Sequence, residues 1–170
     1  IVSGRWDVTP AFHIHTELHR RRPDARVVVH NHPYYATVLA ALGILPEVLH
    51  QTGALFDGDL GFVAEYTGEI DSADLGGDLA DRIGAASTVL LANHGVIITA
   101  PTIREATSRA ASSDRQCRLM VDVLKLGRPY TVVEPTLRAA MKASLVERGS
   151  DVYWDAEVRN LLRTEPDVIS

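Results

Sequence analysis

Two short runs carry the residues whose chemistry stands out. The first is Val27-Val28-Val29-His30-Asn31-His32-Pro33, a β-branched stretch that ends in His-x-His. Residues two apart on a strand share a face, so His30 and His32 can aim two imidazoles at one point as the strand ends. The second is Leu90-Leu91-Ala92-Asn93-His94-Gly95, also apolar and strand-like, with one histidine before a glycine. If the two strands are neighbours in one sheet, three neutral imidazoles converge. Three nitrogen donors with an open fourth position suit a catalytic zinc ion, or manganese, iron or cobalt in the same role. The alternative is histidines at strand ends that hydrogen-bond their neighbours.

The elements that would position these residues follow from period and punctuation. Thr9 and Pro10 open a helix over residues 11–22, with Phe12, His15, Leu18 and His19 on one face. His15 and His19 are four apart and form a possible metal pair. The spacing is not that of a His-Glu-x-x-His metalloprotease, and an inward, hydrogen-bonded His15 is the simpler expectation. A strand over 26–31 leads into a helix over 33–42, whose apolar stripe is Tyr35, Val38, Leu39 and Leu42 and which Gly43 ends. Residues 45–59, with Pro46, Gly53 and Gly58, suggest a loop with short extended pieces. A strand is expected over 62–66. A helix follows over 72–83, weakened by Gly76 and Gly77. A strand spans 88–93, and extended chain resumes over 96–99. Thr102 and Glu105 form a capping box for a helix to about Leu126, in which Cys117 is a small core residue. Helices over 136–147 and 155–162 close the chain, with residues 151–154 between them.

The 170 residues suit one α/β domain, with helices surrounding one sheet. Ile1 to Gly4 resemble the tail of a strand, which suggests that the domain begins before Ile1. The net charge of −5 is mild, and there is no basic stripe for nucleic acid. No apolar run reaches membrane-spanning length. A single cysteine favours a reducing compartment, hence the cytoplasm.

Arg22-Pro23-Asp24-Ala25, Val28-Val29-His30-Asn31-His32, Leu91-Ala92-Asn93-His94-Gly95 and the helix opening Glu105-Ala106 together resemble the class II aldolase/adducin family. The resemblance implies a three-layer α/β/α sandwich with a mainly antiparallel central sheet. It also implies a divalent metal, usually zinc, on His30, His32 and His94. Its enzymes include sugar-phosphate aldolases, an epimerase, a dehydratase and decarboxylases of hydroxylated aromatic acids. Most are cyclic tetramers, and its adducin branch binds partners without catalysis. In register, the family's acid/base carboxylate falls on Ala11, and Glu17 is out of register with it. Losing that acid hurts aldol cleavage more than decarboxylation, because loss of carbon dioxide needs no prior proton removal.

The expectation is a metal-dependent carbon–carbon lyase acting on a small hydroxy-carbonyl compound or hydroxy acid. An epimerase, a dehydratase or a binding module are the alternatives. Tyr34, Tyr35, His50, Gln51 and Glu65 are the polar residues available to replace the missing acid, with His50, Gln51 and Tyr35 foremost. The apolar residues Leu45, Val48, Leu49, Leu55, Phe56 and Leu60 lie in an irregular segment. They suggest cover by a neighbouring subunit, hence a homo-oligomer.

Overall fold

The structure is a computed structural model that describes residues 3–65 and 68–169. Ile1, Val2 and Tyr66, on which two of the strand expectations fall, lie outside the described residues. Four strands form the sheet: β1 (Val27–Asn31), β2 (Leu60–Val63), β3 (Thr88–Leu91) and β4 (Gly95–Ala100). Their spatial order is β1-β4-β3-β2. β1 and β3 each pair antiparallel with β4, while β2 runs parallel to β3, so the sheet is mixed.

The central strands β3 and β4 are buried at every position and carry nearly continuous apolar sequence. The edge strands β1 and β2 are mostly half-buried. A strand covered on both faces needs apolar residues on both, and this explains the unbroken Val-Leu-Leu and Val-Ile-Ile runs.

Helices cover both faces. On one, α1 (Phe12–Arg21) and α3 (Ala73–Ile83) pack Ile14, Leu18, Leu79 and Ile83 against Val89, Leu91 and Ile97. On the other, α2 (Tyr34–Leu42) and α4 (Ile103–Leu126) pack Leu39, Cys117 and Met120 against Leu90, Val96 and Ile98. The result is an α/β/α sandwich. Gly76 and Gly77, weak helix formers, let α1 approach α3. A Cβ on Gly76 would stand 2.6 Å from the His13 carbonyl oxygen, and one on Gly77 would stand 2.5 Å from Arg21 Nη2. Ser72 and Thr102 cap α3 and α4 with their hydroxyls, accepting from the Leu75 and Glu105 amides.

The C-terminal part departs from expectation. Residues 135–164 form one helix, α5 (Pro135–Thr164), running through 151–154. Gly149 sits in open space, and no proline interrupts the run. Arg104 of α4 holds the middle of α5 through Asp151 and Asp155. Residues 45–59 are also more ordered than a loop, with a 3-10 helix at Gln51–Phe56. Val48, Leu55 and Phe56 are buried. Their cover comes from the chain itself. Lys142 of α5 donates to the Asp57 carbonyl and pairs with Asp59, both at 2.7 Å. The Val133 amide donates to the Val48 carbonyl at 2.7 Å. No helix among the described residues is long and apolar enough to cross a membrane.

Candidate metal centre

Side chains alternate along β1. Val29 faces the α2/α4 cluster and Val28 the α1/α3 cluster, so His30 belongs to the α1/α3 face. His32 follows it just past the strand end. β1 pairs with β4, with Asn31 opposite Val96. His94 therefore arrives from the β3–β4 hairpin turn, beside β1, and not from the end of a strand next to β1. The turn is fixed by a His94 amide bond to the Leu91 carbonyl at 3.1 Å and an Ala92 amide bond to the Val63 carbonyl at 2.9 Å. Asn93 takes the left-handed conformation, with φ of 55°. Asparagine tolerates that region better than most residues.

The three rings meet. His30 and His32 centroids are 5.1 Å apart, His30 and His94 4.8 Å, His32 and His94 4.9 Å. One ring nitrogen from each lies within 4.8 Å of the others, and among the described residues no other group of His, Cys, Asp and Glu gathers three possible ligands. A tetrahedral zinc site needs nitrogens about 3.4 Å apart, within reach of small side-chain rotations.

Two local features prepare these rings to hold a cation. His30 Nδ1 donates to the Val96 carbonyl at 3.1 Å, which leaves the Nε2 lone pair free. Burial, reinforced by the neighbouring His94, His32 and His15, pushes the His30 pKa down to about 4, although the Val96 contact acts the other way. Burial and His32 lower that of His94 as well. Both rings are thus neutral at pH 7, as ligands must be.

Between about 4 and the ordinary 6.5 the unfolded chain binds a proton at His30 that the folded chain does not. In that window stability rises with pH. The His30 contribution is fully present above 6.5 and is lost as pH falls toward 4. Melting curves of metal-free protein from pH 7 to 4 are expected to fall more steeply than those of His30→Asn. Parallel curves would remove the assignment.

α1 runs antiparallel to β1. His19 Nδ1 donates to the Ala25 carbonyl at 2.6 Å, and His15, one turn earlier, lies beside the Val28 backbone. His15 is half-buried and inward, as expected, but it also lies close enough to His30 to act on it electrostatically. Sequence reasoning missed that second role. A further turn back stands Ala11, partly buried against the α1/α3 cluster. Glu17 is buried, ion-paired to Arg20 at 2.8 Å and to Arg21, and packed on Gly76 of α3.

The other polar candidates are placed elsewhere. Tyr35 packs in the α2/α4 cluster with Arg118 over its ring, on the opposite face of the sheet from His30. His50 caps the 3-10 helix through Nδ1, which accepts from the Thr52 amide at 3.3 Å, and Gln51 is exposed in the first turn of that helix. Glu65 pairs with Arg82 at 3.0 Å. Tyr34 opens α2 and is 71% exposed.

The profile of the class II aldolase and adducin N-terminal domain matches residues 1–121. Decarboxylase NovR of Streptomyces niveus is 29% identical over 122 residues, covering 72% of this chain and 45% of that protein. The 3,4-dihydroxyphthalate decarboxylase of Arthrobacter keyseri is 33% identical over 135 residues, covering 74% and 52%. The chain thus spans about half the length of these relatives. The structure of L-fuculose 1-phosphate aldolase from Glaciozyma antarctica superposes with a TM-score of 0.73 at 19% identity, over 85% of this chain and 56% of that one, and supports the fold. This chain belongs to the class II aldolase and adducin family.

Proposed function

We propose that this chain is the metal-binding core of a lyase that breaks a carbon–carbon bond in a small hydroxy-carbonyl compound or hydroxy acid. The convergence of His30, His32 and His94 carries this reading. The decarboxylases among its relatives support the lyase class. His30, held through Nδ1 by the Val96 carbonyl, would present Nε2 to a divalent cation, zinc first and manganese, iron or cobalt otherwise. His32 and His94 would complete the set. A cation bound there would act as a Lewis acid toward substrate oxygens and stabilise the charge left when the bond breaks.

The chain's own part is orientation. The β1–β4 ladder sets the His30 backbone, and the hairpin turn sets His94. Glu17 is tied to Arg20 and Arg21, and proton transfer is not assigned to it. His50, Gln51 and Tyr35 serve as a helix cap, an exposed turn residue and a packing residue, and the reaction is not assigned to them. Loss of carbon dioxide is the favoured branch, because it needs no base at the position of Ala11. The test is a screen of metal-loaded protein against hydroxy acids, ketose phosphates and thiosugar phosphates, scored for carbon dioxide, aldehyde and loss of water. Carbon dioxide from a hydroxy acid is expected, and loss of water alone would move the protein to the dehydratases. Tetrameric assembly now rests on the family resemblance without the support of the 45–59 segment, and light scattering of the protein tests it.

A further inference from the structure

We propose that α5, with the lead-in of residues 128–134, is a strap held on the sandwich by charge, and that it lifts and re-seats as a unit while the sheet and the other helices stay folded. This holds whatever the histidine trio binds. α5 lies beyond residue 121, where the family domain ends. None of its 30 residues is buried. Among the described residues, none of them joins either of the apolar clusters that bind the sheet to its helices, whereas α1 to α4 each place buried residues there. A segment with so few buried apolar contacts opens more easily than the core it rests on.

The hold on α5 is mainly ionic. At the start of the helix Arg138 pairs with Asp57 at 3.3 Å. Lys142 pairs with Asp59 at 2.7 Å and donates to the Asp57 carbonyl at the same distance. At the middle the signs reverse. Asp151 and Asp155 of α5 meet Arg104 of α4 at 3.2 and 3.4 Å. Every one of these side chains is at least partly open to solvent, so salt screens the pairs. Met141 and Leu145, both half-buried, add a modest apolar grip.

The seam beneath the strap is loosely filled. Val48, Leu55 and Phe56 are buried yet belong to neither apolar cluster. A cavity of about 310 Å³ opens between Arg138 and the side chains of Leu45, Val48, Phe56 and Leu60. The hinge is the chain after α4, where Gly127 turns left-handed with φ of 60° and Pro129 follows. The sheet keeps its own partners when the strap lifts. The Asp59 carbonyl accepts the Ser87 and Thr88 amides at 3.2 Å, and Arg109 stays bonded to Glu105 and Ser87.

Hydrogen exchange of the full chain, read by mass spectrometry at about 0.05 M and about 1 M sodium chloride, tests the strap. In low salt, residues 130–155 are expected to exchange at least about tenfold faster than β3 and β4. High salt is expected to speed them by a further threefold or more, roughly, and to leave β3 and β4 unmoved. Lys142→Met is expected to speed the same residues about tenfold in low salt, again without moving β3 and β4. Exchange of residues 130–155 at the rate of β3 and β4 overturns the proposal, because the helix then opens only with the whole fold. A rate left unmoved by salt or by Lys142→Met overturns it too, because packing and not charge is then the hold. If Lys142→Met speeds β3 and β4 equally, α5 is part of the core and no strap exists.

Discussion

A protein in which His30 and His94 are both alanine is expected to fold but to retain no divalent ion after dialysis, and to lose turnover by about a thousandfold or more. The trio is a chelate spread over two elements, the end of β1 and the β3–β4 turn. Removing one ring from each leaves a lone imidazole at His32, which cannot hold a dilute ion. The fold should survive because the rings stand at the margin of the sandwich, half-buried or exposed, and the large apolar clusters lie elsewhere. Elemental analysis of the dialysed protein with a parallel circular-dichroism melt checks both parts. Full metal content in the double variant would end the assignment of these ligands.

Gly95→Ala is expected to disturb both stability and metal binding. A Cβ there would lie 2.4 Å from the Asn31 carbonyl oxygen and 2.6 Å from His32 Cδ2. The first neighbour is backbone in the β1–β4 ladder, and the second is a ring of the trio. Neither can yield without opening the strand pairing or turning His32 away. A cost of about 2–4 kcal/mol is expected, together with weaker metal binding. Gly149→Ala, in open space on α5, is the control and should be neutral or slightly stabilising. The expectation fails if Gly95→Ala melts and binds Co2+ like the wild type.

Much of the site was legible because it depends on local period. The two-residue repeat puts His30 and His32 on one face, whatever the strand pairs with. The partner strand was not legible, since pairing is non-local. The expected neighbour of β1 was the strand before His94, whereas β1 pairs with the strand after it. Asn93 and Gly95 between two apolar runs do carry a hairpin signal that could have shown this. Glu17 carried a signal too, since Arg20 and Arg21 lie three and four residues on, the spacing of helical ion pairs. The mixed character of the sheet comes from β2 beside β3, and β2 is a short strand containing Gly61. The cover of residues 45–59 could not be read locally, because it depends on α5 returning across about half the chain.

The pairing of β1 with β4 also bears on the order in which the molecule forms. β3 and β4 are joined by a three-residue turn and can zip at once. The bond from His30 to Val96 spans 66 residues. Closing that loop demands a large loss of chain entropy before any reward, so it belongs late in folding. His94 is in place early, and His30 and His32 reach it only when the sheet is nearly complete. Until then the chain offers only the His-x-His pair and a distant third ring, so the ion has no finished seat on a half-folded chain. Tight capture therefore waits for the native topology, and a bound ion favours the folded state over every earlier one.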